Sequence, residues 1–345
     1  MPTAADRLMQ SRARVGKTSL MVSRLALGTG FLGGLGEPVP EERFAATVAA
    51  AHEAGITYFD TAPIYGLGVS EERLGRALAG LPRSEYILSS KIGRLLRQPG
   101  TIARGAELDT SYEGAWHGVP QRALVVDFSH DGALRSVEES LARLNLSRLD
   151  IVYIHDTFEE HQYRAAMEGA YRGLSRLREE GTVAALGVGI GRTDLLERYA
   201  HDGDFDCFLV AGRYTLLDHA AAAGLVATCR RKSISIMLGG VFNSGILADP
   251  WRERASFDYR PAEAAVIERA RHIDRICTVH GVPLKAAALQ FPLAEPAVAA
   301  VVLGASRPQE VAENVSLAGR EIPSALWSDL ASAGLLAEAA ARPAG

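Results

Sequence analysis

Cysteine is scarce in this chain: three in 345 residues, Cys207, Cys229 and Cys277. They are odd in number and show no CxxC or other metal-type spacing. That excludes a disulfide framework and a zinc ribbon, and describes packed thiols in a reduced, intracellular protein. No apolar run approaches the roughly 20 residues of a membrane span. There is no basic block, and the net charge is 37 − 41 = −4, so nothing invites nucleic acid or an anionic membrane. Met1 to Lys17 is polar and Arg-bearing without an apolar centre, unlike a secretory signal. No HxH occurs and only His155-Asp156 offers neighbouring ligands at a strand end, so no metal site is expected and a metal-dependent hydrolase is disfavoured. What remains is 48% hydrophobic and 23% charged, the balance of a globular protein with a sizeable core. A cytoplasmic location is expected, and oligomeric state is not legible.

Short apolar strands and helical stretches alternate along the chain. Ser19 to Ala26 alternates and shortens into Leu25-Ala-Leu-Gly-Thr-Gly30, which reads as a strand ending in glycine; Glu41–Ala54 reads as a helix stopped by Gly55, and Thr57-Tyr-Phe-Asp60 as a second strand. A helix capped by Ser70 follows, then the strand Tyr86–Lys91. Asp131–Leu144 reads as a helix capped by Asp131, and Leu149–His155 as a strand. Helices over 161–180, 193–200, 217–230 and 261–280 alternate with strands over 184–189, 206–211, 233–239 and 298–303. A short helix from Pro283 and another from Pro308 complete the series.

Strands apolar on both faces, separated by helices, predict a parallel sheet covered by helices. Eight such units predict a (β/α)8 TIM barrel in one domain, 1–345, with a core of about 20–318 and a short N-terminal hairpin before it. The competing architecture is a doubly wound dinucleotide-binding sheet. Gly28-Thr-Gly-Phe-Leu-Gly33 has glycines for it but opens no helix. One segment breaks the rhythm: Gly93–Phe128, a long insertion after the third strand, placed where barrel loops shape substrate sites.

In a parallel barrel the carboxyl ends of all strands share one face. Asp60 ends the second strand, Lys91 the third and His155 the fourth, with Tyr65 five residues past Asp60. A phenol is a poor base at neutral pH, but a nearby ammonium favours its phenolate. The expectation is that Asp60 holds Lys91 charged, Lys91 lowers the Tyr65 pKa, and His155 orients a substrate oxygen. Each residue alone has a structural explanation: a turn cap, a loop aromatic, a core histidine. A lysine ending an apolar strand is the hardest to explain that way, since it needs a partner inside.

Phe59-Asp-Thr-Ala-Pro-Ile-Tyr-Gly66, Ser70-Glu-Glu-Arg-Leu-Gly75, Ser89-Ser-Lys91 and Asp150-Ile-Val-Tyr-Ile-His155 together resemble the aldo-keto reductase superfamily. Leu303-Gly-Ala-Ser-Arg-Pro-Gln-Glu-Val-Ala-Glu-Asn314 resembles its adenosine-binding segment, and the resemblance runs from about Leu20 to Asn314. It implies an NAD(P)-dependent oxidoreductase whose tetrad is Asp60, Tyr65, Lys91 and His155, with Tyr65 exchanging the proton. Val126–Ser136, Leu209–Leu217 and Gly239–Gly245 are similar to the bacterial aldose 1-dehydrogenases that act on L-fucose and D-threo-aldoses. These oxidise the anomeric hydroxyl of a cyclic sugar to a lactone. The alternatives are a pyridoxal 4-dehydrogenase acting on the hemiacetal, a general aldehyde or ketone reductase, and a non-catalytic redox-sensing protein. The intact tetrad speaks against the last.

By the same resemblance Thr29, Asp60, Gly239, Gly240, Val241, Phe242, Ser244, Gly245 and Leu247 face the cofactor, with Ser306, Arg307, Glu310, Glu313 and Asn314 at its adenosine end. Three positions depart from the commoner pattern. Ala211 stands where a glutamine often binds the carboxamide, and Gly239 where an aromatic often stacks on nicotinamide. Glu310 stands where an arginine often binds a 2′-phosphate. A carboxylate there repels phosphate and accepts from a ribose hydroxyl, which favours NAD, while Arg307 keeps NADP open. Flat aromatic faces suit the C–H patches of a sugar, so Phe31, Trp116, His117 and Trp251 are the substrate candidates, with Trp327 a further one. The partner expected is a small sugar or aldehyde.

Overall fold

Residues 4–338 and 340 are described by the computed structural model. Eight parallel strands close into a barrel in chain order: β1 (Leu25–Gly28), β2 (Tyr58–Asp60), β3 (Ile87–Ile92), β4 (Leu149–His155), β5 (Val183–Ile190), β6 (Cys207–Ala211), β7 (Ser235–Gly239) and β8 (Val298–Gly304). Each pairs with the next and β8 pairs with β1, so no strand edge is left open. The chain therefore has the (β/α)8 architecture and not the doubly wound sheet.

Alternate side chains along each strand point into the barrel or out to the helices. Ala26, Tyr58, Ile151, Tyr153, Ala185, Cys207, Met237 and Ala300 fill the interior. Outward residues such as Leu27, Phe59, Leu88, Val152 and Leu186 pack under the helices. The N-terminal hairpin, Arg12–Arg14 against Met21–Ser23, brings Val15 and Val22 to the barrel interior. Its turn is tied to the start of β7, where the Ser235 hydroxyl accepts from Gly16 N–H at 2.8 Å and donates to the Arg14 carbonyl at 2.9 Å.

The covering helices are α1 (Glu41–Glu53), α2 (Val69–Leu78), α3 (His130–Leu144), α4, α5 (Thr193–Asp202), α6 (Leu225–Lys232), α7 (Ala264–Val279), α8 (Leu284–Leu293), α9 (Pro308–Ala318) and α10 (Ser324–Ser332). Helix α4 is Glu160–Ala165, a π turn Ala166–Ala170 and Tyr171–Glu179 in succession, so the single regular helix expected over 161–180 carries a bulge.

Four boundaries differ from expectation for identifiable reasons. Ser70 is not a cap: α2 starts one residue earlier behind Gly68 at φ 97°, and Ser70 is buried with its hydroxyl on Thr29 Oγ1 at 2.7 Å. The cap of α3 is Ser129, which accepts from Gly132 N–H, while Asp131 lies in the first turn. The stretch from Leu217 is not yet helical because Thr215, Asp218 and Arg213 bond among themselves, giving the backbone an alternative to the helix. Arg260–Pro261 is the second strand of a small hairpin with Ser256–Phe257, and α7 starts only at Ala264.

The insertion is built on a hairpin, Arg94–Arg97 against Ala123–Val126, that rises from the end of β3. Its far loop is stitched to the loop after β1 by a bridge between Leu35 and Trp116. Among the described residues no helix is long and apolar enough to cross a membrane.

Candidate active site

Asp60 and Lys91 come together because β2 and β3 are neighbours, with Asp60 opposite Ser89 in register. Lys91 Nζ donates to Asp60 Oδ2 at 2.7 Å and to the Thr61 carbonyl at 2.8 Å. Both side chains are almost wholly enclosed, at 1% and 2% exposure. A buried ammonium is tolerable only with such partners. Two of its three N–H groups are used, and the ammonium lies 4.5 Å from the centre of the Tyr65 ring.

Tyr65 leaves the β2 loop in a tight turn whose next two residues, Gly66 and Leu67, have φ of 62° and 51°. A side chain at Gly66 would meet the Gly33 carbonyl at 2.3 Å, so only glycine lets the two loops approach this closely. His155 ends β4, and its ring stands edge-on to Tyr65 with 6.5 Å between centres. The four residues named from strand ends thus meet at one point on the carboxyl face.

The electrostatics depart from expectation at Tyr65. Burial pushes its phenol well above the ordinary value, and the neighbouring Asp60 charge adds to this. Lys91 sits over the ring face, so it does not overcome that effect. The expected phenolate is corrected: at rest Tyr65 holds its proton. His155 is held well below its ordinary value, first by burial and then by Lys91 and Arg94, and is a neutral imidazole at neutral pH.

Sequence reasoning missed four neighbours. Arg94, at the root of the insertion, donates to the carbonyls of His155 and Asp156, the latter at 2.9 Å, and pairs with Asp109 at 2.9 Å. It fixes the end of β4. Asp156 takes a left-handed backbone, φ 50°, that returns its carboxylate to within 3.3 Å of His155 Nε2. Burial raises this carboxyl to about 6, against the opposing pull of Arg94. Tyr112 donates to the same oxygen at 3.3 Å, and Trp116 lies 6.0 Å from Tyr65 and 6.1 Å from Tyr112. Tyr259, at the tip of the small hairpin, is exposed and lies in the electrostatic surround of Tyr65. Only Asp156 carried a sequence signal, its adjacency to His155.

The remaining predicted residues divide. Phe31 lies against Gly304 at the rim, and Trp116 faces the tetrad. His117 is exposed, with its N–H on the Gly34 carbonyl at 2.9 Å. Trp251 is not brought to the cluster. Its indole donates to Asp274 at 2.7 Å and stacks under Arg271, both on α7. Trp327 is core, packed on Phe291. Thr29 is sealed in, and its one donor is used on the Asp60 carbonyl. Glu313 is turned to Lys285 at 2.5 Å, and the Val241 and Leu247 side chains are buried.

The loop after β7 fits an anionic ligand. Gly240, Asn243, Ser244 and Gly245 all have positive φ, from 45° to 92°. Near-successive left-handed residues turn backbone N–H groups toward a common concavity, as a pyrophosphate requires. Asn243 holds this shape by accepting from Thr215 at 2.6 Å and donating to the Gly212 carbonyl at 3.1 Å. Gly239 and Ala211 pair in register and leave open floor at the ends of β7 and β6. At the start of α9, Glu310 accepts from Ser306 N–H at 2.7 Å and contacts Arg307 Nε at 3.3 Å.

A closed parallel barrel carries, at the carboxyl ends of its strands, a neutral imidazole and a protonated phenol over a buried ammonium–carboxylate pair, groups suited to exchanging a proton with a bound oxygen. A family model, described as the aldo/keto reductase family, matches residues 24–334. The D-threo-aldose 1-dehydrogenase of a Pseudomonas species is 40% identical over 319 residues, 92% of this chain and 95% of that protein. The pyridoxal 4-dehydrogenase of Microbacterium luteolum is 35% identical over 332 residues, 93% and 97%. The solved holo form of an aldo-keto reductase from Bacillus halodurans superposes with a TM-score of 0.74 at 22% identity, covering 96% of this chain and 98% of that one. The chain belongs to the aldo/keto reductase family. It is an NAD(P)-dependent oxidoreductase.

Proposed function

We propose that this enzyme oxidises the anomeric hydroxyl of a cyclic aldose, such as L-fucose or a D-threo-aldose, to the lactone, with NAD preferred. The observation that carries the sugar reading is the surround of His155. Asp156 offers a carboxylate that keeps 13% side-chain exposure, beside the rings of Tyr112 and Trp116. Hydroxyl donors and apolar C–H faces are what a sugar brings to such a pocket. The 40% identity to a D-threo-aldose 1-dehydrogenase supports the same reading. A hemiacetal of pyridoxal is the second reading, because a flat heteroaromatic ring also suits the aromatic wall and a pyridoxal 4-dehydrogenase is 35% identical. A panel of aldoses, simple aldehydes and pyridoxal, each with NAD and with NADP, decides between them. A preference for simple aldehydes would overturn both.

A bound nicotinamide dinucleotide supplies the hydride acceptor. The backbone of 240–245 would hold its pyrophosphate, and Ser306, Arg307 and Asn314 its adenosine end. His155, neutral, donates to or orients the reacting oxygen. Tyr65 takes the hydroxyl proton as C1 gives up its hydride, so the Tyr65 phenol must first release its own proton to solvent. The sign of the pH dependence follows. A raised phenol pKa means the base form grows as pH rises, so oxidation should accelerate through the alkaline range. Reduction should stay level around neutrality and fall at high pH. Steady-state profiles in both directions check this, and an oxidation plateau reached below neutral pH would contradict it.

Cofactor choice rests on Glu310. Its carboxylate occupies Ser306 N–H and contacts Arg307, the donors a 2′-phosphate would need. Glu310→Ala frees both and removes a repelling charge. The ratio of NADP to NAD use should rise about tenfold, the worth of roughly one charge-assisted hydrogen bond. An unchanged ratio in kcat/KM would remove Glu310 from the discrimination.

A further inference from the structure

The barrel interior holds a polar chain that its packing does not require. Ser89 donates to Asp60 Oδ1 at 2.6 Å, the oxygen that Lys91 does not use. The Tyr58 hydroxyl lies 3.0 Å from Ser89 Oγ and 3.0 Å from the Tyr153 hydroxyl, and Cys207 Sγ is 3.7 Å beyond. All are fully buried or nearly so. Room for Tyr153 is made by Gly187, opposite it on β5, where a side chain would meet its ring at 2.5 Å.

Each hydroxyl has one proton, and that fixes the direction of the chain. A carboxylate only accepts, so the Ser89 proton must point at Asp60. Ser89 then accepts from Tyr58, Tyr58 from Tyr153, and Tyr153 from the Cys207 thiol. Every donor is aligned toward the same carboxylate, and hydrogen bonds so aligned strengthen one another in a dry interior. Cys207 and Tyr153 lie among Val15, Val22 and Met237, so the far end has no exit to solvent. This rules out a proton wire and leaves fixed charge stabilisation.

We infer that Ser89, Tyr58 and Tyr153 are positioning residues for the reaction. Together they hold Asp60 as an oriented carboxylate, which keeps the Lys91 ammonium under Tyr65. The inference rests on the tetrad reading of the site. Burial alone would be met more simply by phenylalanines and alanine at these positions. With the chain cut, the Asp60 carboxylate is less satisfied and draws the Lys91 proton more strongly. Less positive charge then faces Tyr65.

The test uses Ser89→Ala, Tyr58→Phe, Tyr153→Phe, the double variant Ser89→Ala/Tyr58→Phe, and Ser89→Thr, in the full chain with NAD and L-fucose. A drop in kcat of about ten- to a hundredfold is expected for Ser89→Ala, with KM little changed. Smaller losses are expected for Tyr58→Phe and then Tyr153→Phe, and recovery in Ser89→Thr. The double variant should lose no more than Ser89→Ala, because Tyr58 acts only through Ser89. A readout independent of turnover comes from isotope-labelled lysine. The chain has four lysines, Lys17, Lys91, Lys232 and Lys285. The Lys91 ammonium resonance should shift in Ser89→Ala and, less far, in Tyr58→Phe. Additive losses in the double variant, or an unmoved Lys91 signal in Tyr58→Phe, would overturn the inference. If Tyr65→Phe instead kept full turnover, the tetrad reading would be what fails.

Discussion

Tyr65→Phe should lower sugar oxidation by about a hundredfold to ten thousandfold while leaving the affinity for NAD nearly unchanged. The substitution removes one oxygen and keeps the ring that packs against Trp116 and carries the Lys91 ammonium on its face. A general acid or base contributes on that scale, and no other group in the cluster can replace it. His155 is neutral and can donate, yet its lowered pKa makes it a poor acceptor of the hydroxyl proton. Asp156 lies near enough to be considered, but its carboxyl at about 6 is a far weaker base than a phenolate. Stopped-flow single-turnover rates, with cofactor titrated by fluorescence quenching, separate the two quantities. A variant that retained more than about a tenth of the rate would place the proton elsewhere.

Lys91→Met should abolish turnover and also destabilise the fold by about 3–5 kcal/mol. Removing one partner of an enclosed ion pair leaves the other charge buried without compensation, which costs that much. Asp60 would keep its bond from Ser89 but lose the ammonium, and the Thr61 carbonyl would lose its donor. The double variant Asp60→Asn/Lys91→Met removes both charges and should recover most of the lost stability. It should recover no activity, since no charge then faces Tyr65. Urea unfolding of the three proteins checks the first statement, and turnover the second. Equal stability of single and double variants would mean the pair is not the enclosed unit described.

The barrel was legible because its cause is local. Strands apolar on both faces and separated by helices allow few other arrangements, and Asp60, Lys91 and His155 could be placed together once strand ends were known to share a face. Tyr65 followed because its spacing from Asp60 is short. What the sequence withheld depends on partners far along the chain. Nothing near Trp251 announces that Asp274 will take its indole, or near Glu313 that Lys285 will turn it outward. Arg94 grips the carbonyls of β4 only because the insertion hairpin starts beside that strand.

The protonation of Tyr65 is a subtler case. Spacing brings an ammonium near a phenol, but whether the charge lies at the hydroxyl or over the ring is a matter of side-chain geometry. The ring face was the outcome, and burial then decides the sign. The chain of hydroxyls inside the barrel was hidden for a related reason. Tyr58 and Tyr153 read as ordinary apolar-strand residues until the closed barrel turned both hydroxyls inward, Tyr58 onto Ser89 and Tyr153 into the space left by Gly187 opposite it.

The central claim is that a sugar hydroxyl is oxidised at Tyr65 with hydride passing to a nicotinamide dinucleotide. Its most direct test is the ultraviolet absorbance of reduced nicotinamide when wild-type protein and Tyr65→Phe meet NAD and a panel of aldoses at alkaline pH. The account predicts turnover of at least one aldose by the wild type, release of the lactone, and loss of both in the variant. Absence of turnover across aldoses, aldehydes and pyridoxal with either cofactor, or equal rates in the two proteins, would contradict it.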